Sequence, residues 1–160
     1  MSEQSAVGFV AITGELASIR QALARIGHPP GATVHGVHLA TWGLGGDIPR
    51  ERAPLLLTTT NRSGGARVAP AVIGRWLAEG DLPRLRGMLP PFAALGVTDD
   101  ALRLSTDGFG FRPVFRAAAD GWAAVSTSAL LLARLLDSGL DEAGVLLQSQ
   151  LGWQLERRTL

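Results

Sequence analysis

The sequence contains no cysteine, no tyrosine and no lysine. The first absence removes disulfides, thiolate metal sites and a cysteine nucleophile together. The third removes Schiff-base chemistry and the lysine of a phosphate-binding P-loop. All fifteen basic residues are therefore arginines, set against fourteen acids for a formal net charge of +1. These arginines are scattered, whereas counterion release from nucleic acid needs clustered cations, so no nucleic-acid partner is expected. The pI near 9.0 reflects a small surplus on a sparsely charged chain and not a basic face. Long apolar runs are also missing. Uncharged stretches such as residues 128–133 fall far short of the roughly 20 residues that span a bilayer. The polar start, Met1-Ser2-Glu3-Gln4-Ser5, lacks the basic opening of a signal peptide. The expectation is a soluble cytoplasmic protein with no membrane partner. Lysine-free usage rich in Ala, Leu, Gly and Arg fits a GC-rich, bacterial type of coding sequence, which bears on source and not on mechanism.

What is present suits one domain. A chain of 160 residues with 46% hydrophobic content can bury a sizeable core without staples. Residues 6–13 (AVGFVAIT) form an apolar run closed by Gly14 and read as a buried strand. Leu16, Ile19, Leu23 and Ile26 have helical spacing, and Pro29-Pro30 ends that helix. Residues 34–42 (VHGVHLATW) read as a second strand and residues 53–60 (APLLLTTT) as a third, each followed by a glycine-rich loop. Helical patterns cover 69–77 and 82–88. Two strand pairs follow: 92–97 with 101–105 through Thr98-Asp99-Asp100, and 113–118 with 122–126 through Ala119-Asp120-Gly121, a hairpin signal. Helices are expected over 128–136 and over 141–153, the latter with Asp141 as N-cap. Strand meanders with inserted helices point to an α+β layer structure with largely antiparallel sheets.

The residues offer little motif chemistry. His35 and His38 lie three apart in the predicted strand and so face opposite sides. Like His28, they read as packing or surface histidines, and no metal site is expected. Neither Gly43-Leu44-Gly45-Gly46 nor Ser63-Gly64-Gly65 matches G-x-G-x-x-G opening a helix, so both read as turns. Ser2, exposed by methionine removal, could act as nucleophile and base, but the first strand begins several residues later. Asp99-Asp100 and Asp141-Glu142 occupy a turn and a helix start, where carboxylates serve structure. Arg84 and Arg86 read as solvated.

One stretch carries more. Residues 82–93 read Leu82-Pro83-Arg84-Leu85-Arg86-Gly87-Met88-Leu89-Pro90-Pro91-Phe92-Ala93. Further on stand Asp107-Gly108-Phe109-Gly110-Phe111-Arg112-Pro113-Val114-Phe115 and then Ala124-Val125-Ser126-Thr127-Ser128-Ala129. In this order the segments resemble the N-terminal glutaminase domain of asparagine-synthetase-type proteins, the class II glutamine amidotransferases. The likeness covers roughly the last 90 residues, and the first 60 only by element order. It implies an Ntn-hydrolase-like four-layer αββα sandwich, with residues 1–160 a single glutaminase-like domain. That domain would be either whole or the N-terminal part of a longer synthetase. The stretch from Gly152-Trp153 to Thr159-Leu160 looks like the lead-in to the linker before that family's ATP-dependent synthetase domain.

The departures shape the functional expectation. Active members of that family begin with a cysteine at the head of the first strand, where this chain has Gly8-Phe9-Val10-Ala11 after extra residues. The family's glutamine-clamping arginine falls in residues 34–40, which hold none. Its Asn-Gly-Glu oxyanion motif falls at Asn61-Arg62-Ser63, retaining only Asn61. Its aspartate for the substrate amine meets Ala66-Arg67-Val68. The positions carrying the resemblance are therefore Asn61, Asp107, Gly110, Arg112 and Pro113, with no catalytic residue and no metal ligand assigned. Cysteine-free relatives include β-lactam synthetases and lasso-peptide macrolactam cyclases. In these the domain is a structural partner of a synthetase domain that adenylates a carboxylate for attack by an amine. No SGGxDS-type pyrophosphate loop is present, so no cofactor is expected in this chain. ATP and Mg would belong to a linked or partner asparagine-synthetase-like ligase in peptide natural-product maturation. Two rivals stay open: a stand-alone peptide- or protein-binding module, suggested by the apolar residues 130–151, and a hydrolase using Ser2 or Ser5. A peptide substrate and a homo-oligomer stay open as partners.

Overall fold

A computed structural model describes residues 8–29, 31–42, 54–57, 61–98 and 101–139. The first strand, β1 (Gly8–Gly14), carries Phe9, Val10, Ala11 and Ile12 in succession, all fully buried. A strand apolar on both faces must be covered on both, and its pairing achieves this. It sits third in a five-stranded sheet with β2 (Ala32–Val34), β3 (Val37–Trp42), β9 (Phe115–Ala119) and β10 (Trp122–Ser126), in the order β2-β3-β1-β10-β9. A second sheet runs β4 (Leu55–Leu56), β7 (Ala93–Val97), β8 (Leu102–Thr106), and β5 (Arg62–Ser63) pairs with β6 (Ala66–Arg67). Every pairing among the described strands is antiparallel.

Helices cover the sheets. On one face of the larger sheet, Val10, Ile12, Ala40, Ala117, Trp122 and Ala124 pack with Ile19 and Leu23 of α1 (Leu16–Ala24) and Leu132 and Leu135 of α4 (Ala129–Leu136). The alternate residues of the same strands, Phe9, Ala11, Val37 and Leu39, pack instead with Leu55, Leu57, Ala93, Leu95 and Val97. The intervening residues of the smaller sheet's strands turn elsewhere. Ala94 and Leu56 join Ile73 and Leu77 of α2 (Pro70–Glu79) and Leu85 of α3 (Leu82–Arg86). The two-residue period of each strand thus divides its side chains between neighbouring clusters. The expected α+β class with mostly antiparallel sheets is the observed one.

Local chemistry sets the ends of these elements. Pro70 occupies the first turn of α2, where a missing N–H is harmless. Gly80 closes that helix at φ +70°, its N–H donating to Leu77 O and that of Asp81 to Trp76 O, a Schellman ending. Asp81 then caps α3 by accepting from Arg84 N at 3.3 Å, and Ser128 caps α4 by accepting from Leu131 N at 3.2 Å. The predicted single strand over 34–42 is in fact a hairpin. Val34 pairs with Val37, and His35 (φ +46°) and Gly36 (φ +75°) form a two-residue turn with positive φ at both positions. The loop at Ser63-Gly64-Gly65 is likewise the turn of the β5–β6 hairpin. The predicted helix over 141–153 and most of the third strand's flanks lie outside the described residues.

Candidate functional site

Asp107 follows β8 and organises the loop that leads to β9. It is buried, and its carboxylate accepts three backbone N–H groups: Phe92 on Oδ2 at 3.0 Å, and Phe109 and Phe111 on Oδ1 at 3.0 and 3.2 Å. Its own N–H donates to Phe92 O at 2.8 Å. The Phe92 N–H is the main influence holding the Asp107 carboxyl below its usual range. Desolvation opposes it, and the N–H groups of Phe111, Phe109 and Gly110 reinforce it. Gly110 turns the loop at φ +71°, a conformation that favours glycine. The loop sets Phe109 and Phe111 outward, 77% and 64% exposed, with their rings stacked at 5.9 Å between centroids.

Beyond this turn, Phe111, Arg112 and Pro113 reach a cavity of about 280 Å³. Gly8 at the head of β1, Trp42 at the end of β3, Leu57 beyond β4 and Thr127 after β10 also line it. The pairing of Gly8 with Trp42 across β1 and β3 brings the first two together. Trp42 is half-exposed and packs so close over Gly8 that a Cβ there would collide with its indole. Across β1, Phe9 and Thr127 exchange hydrogen bonds, Phe9 N–H to Thr127 Oγ1 at 3.1 Å and Thr127 N–H to Phe9 O at 3.2 Å. Ser126, fully buried, donates its hydroxyl to Phe9 O at 2.7 Å and accepts from Ser128 N at 3.0 Å. These bonds fix the floor beside Gly8.

Arg112 is the cationic residue among the described lining, and its Nε is buried without a hydrogen-bond partner among the described residues. A buried donor left unmatched is uncommon enough to need an explanation. Thr127 already accepts one bond but keeps its own hydroxyl proton to donate. The described lining thus offers donors and apolar surface: it can bind an acceptor and cover an apolar body.

The other sequence candidates are spread over the fold. Asp107, Gly110, Arg112 and Pro113 belong to one loop, whereas Asn61 is buried at the start of the β5–β6 hairpin, its carbonyl accepting from Val68 N at 2.7 Å. His28 follows α1 at φ +47°, accepting a left-handed conformation while its N–H bonds Leu23 O. His35 sits in the β2–β3 turn, and His38 pairs with Ile12 and so shares the face toward α1 and α4. Among the described residues no cluster of three or more His, Asp or Glu could hold a metal. Arg84 pairs with Asp81 at 3.0 Å and lies over the Trp76 ring at 5.8 Å, both at the surface. Ser2, Ser5, Asp99-Asp100, Asp141-Glu142 and Gly43-Leu44-Gly45-Gly46 lie outside the described residues. Sequence reasoning missed Gly8, Trp42, Leu57 and Thr127 as neighbours. A glycine at the head of an apolar strand does signal a close approach, and Trp42 is what approaches.

Comparison of the chain with family models, with curated proteins and with solved structures gives no match. Among the described residues no helix is long and apolar enough to cross a membrane.

Proposed function

We propose that this chain is a catalytically degenerate glutaminase-like domain, the structural partner of an ATP-dependent, asparagine-synthetase-like ligase that forms amides. The product class we favour is a peptide natural product, with ATP and Mg held by the ligase. One observation carries the reading: a cavity lies at the head of a central β1 whose first five residues are buried, and the strand opens there with Gly8-Phe9. The resemblance in the sequence puts a catalytic cysteine at that head, and glycine supplies no nucleophile. The three apolar clusters support the finer architecture. They follow one another from α1 and α4, through the two sheets, to α2 and α3, the order expected of an Ntn-like four-layer αββα sandwich.

The test has two arms. The purified chain should release no ammonia from glutamine above a no-protein control, and Ser2→Ala should leave that unchanged. Co-expressed with the amide-forming ligase encoded next to it, the chain should co-elute as a stoichiometric complex and raise the ligase's soluble yield or rate. Ammonia release that disappears in Ser2→Ala would overturn the reading in favour of a hydrolase. A neighbouring gene of unrelated chemistry, with no complex formed, would remove the ligase partner.

A further inference from the structure

The cavity at the head of β1 has contents that its lost chemistry does not explain. Its volume of about 280 Å³ stands at the foot of the roughly 300–1,000 Å³ range of small-molecule sites, so it admits a group the size of one amino-acid residue. Leu57, Pro113 and the rings of Trp42 and Phe111 give it apolar walls. Trp42 and Phe111 are 39% and 64% exposed, so aromatic surface stands open to solvent at the rim even though Phe111 stacks on Phe109 and Trp42 lies against Gly8. Arg112 brings a guanidinium whose Nε–H is shut off from water and bonded to nothing among the described residues. Arg112 is also aligned by its neighbours: Asp107 fixes the turn before it through Phe109 and Phe111, and Pro113 fixes the backbone after it.

An occupant must match the Arg112 cation and the apolar walls together. An anion with two oxygens matches the guanidinium fork, and an apolar body matches the walls. We propose that this cavity binds a small apolar carboxylate, with Arg112 taking the carboxylate and Trp42, Leu57 and Phe111 covering the apolar body. The same chemistry is offered by a free acid and by the C-terminal residue of a peptide. The site stands whether or not the chain pairs with a ligase, because it rests on the cavity and on Arg112 alone.

The full chain, labelled with nitrogen-15, is titrated with 3-phenylpropionate and with acetyl-Gly-Phe, each beside its neutral amide. The expected result is saturable movement of the Gly8 and Thr127 amides and the Trp42 indole signal by at least one acid, with its amide weaker by about tenfold or more. Arg112→Gln should weaken the acid by a similar factor, and Arg116→Gln, on the exposed face of β9, should not. Binding by the peptide alone assigns the site to chain ends, and binding by phenylpropionate alone assigns it to free acids. Equal binding of acid and amide overturns the proposal, as does movement confined to signals far from the cavity. No saturable binding by either acid overturns it too. The comparison of acid with amide uses the unaltered protein, so it decides the matter even where Arg112→Gln does not fold.

Discussion

Phe92 and Asp107 are joined by two hydrogen bonds in opposite senses. The Phe92 N–H donates to the Asp107 carboxylate at 3.0 Å, and the Asp107 N–H donates to the Phe92 carbonyl at 2.8 Å. The pair prolongs the β7–β8 ladder by one step past Ala93 and Thr106, with a carboxylate in the place of a carbonyl. The free oxygen of that carboxylate then gathers the loop that presents Arg112. A fold contact and a site contact therefore share one side chain.

Replacing Asp107 with Ala should destabilise the protein by about 3 kcal/mol, because an acceptor of three N–H groups is lost and the Phe92 N–H stays buried without it. Asp107→Asn should cost less, about 1–2 kcal/mol, since one amide oxygen can still accept. Urea unfolding of both variants gives the comparison. Equal losses for Ala and Asn would contradict the carboxylate's role.

The same group makes stability depend on pH. Its folded pKa is lowered, beneath the unfolded value of about 3.9, so the unfolded chain takes up the proton first. Its contribution is full above about pH 4 and is lost as pH falls through the folded value. Urea midpoints of the unaltered protein should fall more steeply below about pH 4 than those of Asp107→Asn. Parallel curves for the two proteins would show that Asp107 is not the group responsible.

How much of this could be read in advance differs from element to element. β10 runs over Trp122–Ser126 as its period of two and the Asp120-Gly121 turn foretold. α2 was equally legible, with Pro70 at its start and Gly80 at its end. The β2–β3 hairpin was not, because His35 adopts a positive φ that its identity signals only weakly. β5 and β6 escaped for another reason. Strands of two residues, Arg62–Ser63 and Ala66–Arg67, carry no periodicity to detect. At the site, the motif drew attention to Asp107 and Arg112, but the carboxylate's three donors come from residues 92, 109 and 111. The meeting of Gly8, Trp42 and Thr127 depends on strand register, and register is a tertiary property.

Two glycines of β1 should respond oppositely to the same added methyl group. A Cβ at Gly14 would press on the Gly121 carbonyl and the Trp122 Cα, both backbone, at a φ of +140°. Gly14→Ala should therefore cost more than about 2 kcal/mol. A Cβ at Gly8 would meet the Trp42 ring first, and that ring is half-exposed and can swing outward. Gly8→Ala should change stability by about 1 kcal/mol or less while shifting the Trp42 indole signal. Urea unfolding with indole spectra distinguishes the two, and an unmoved Trp42 in a stable Gly8→Ala would refute the close approach.

Ser126 is the only polar residue among the described ones that is wholly inaccessible, at 0% exposure. Its hydroxyl links Phe9 O to Ser128 N, joining β1 to the start of α4. Ser126→Ala leaves Ser128 N without that acceptor, while Phe9 O keeps the Thr127 N–H. One of the two partners is thus rescued, and the loss should be about 1–2 kcal/mol rather than the sum of two bonds. Ser126→Val, which adds bulk and no acceptor, should lose more. Thermal or urea unfolding in that order, Val worse than Ala, is the expected outcome; Ala matching the unaltered protein would deny the link.

Arg25 ties the two helices on the outer face of the larger sheet. Its Nη1 donates to Leu135 O at 2.6 Å, in the last turn of α4, where helical carbonyls lack intrahelical donors. The cation also stands at the negative end of the α4 dipole, a favourable placement. Because Arg25 is itself exposed, water screens the charge and the bond carries a modest share of the stability, about 1 kcal/mol at most. Arg25→Met retains the apolar stem and removes the donor. It should leave global unfolding within about 1 kcal/mol but speed hydrogen exchange selectively at the amides that close the last turn of α4, Asp137 and Ser138, which bond to Arg134 O and Ala133 O. Added salt should narrow the difference between the two proteins, since only the charged one gains from the dipole. Unchanged exchange at Asp137 and Ser138 would mean that α4 is held by Leu132 and Leu135 in the core alone.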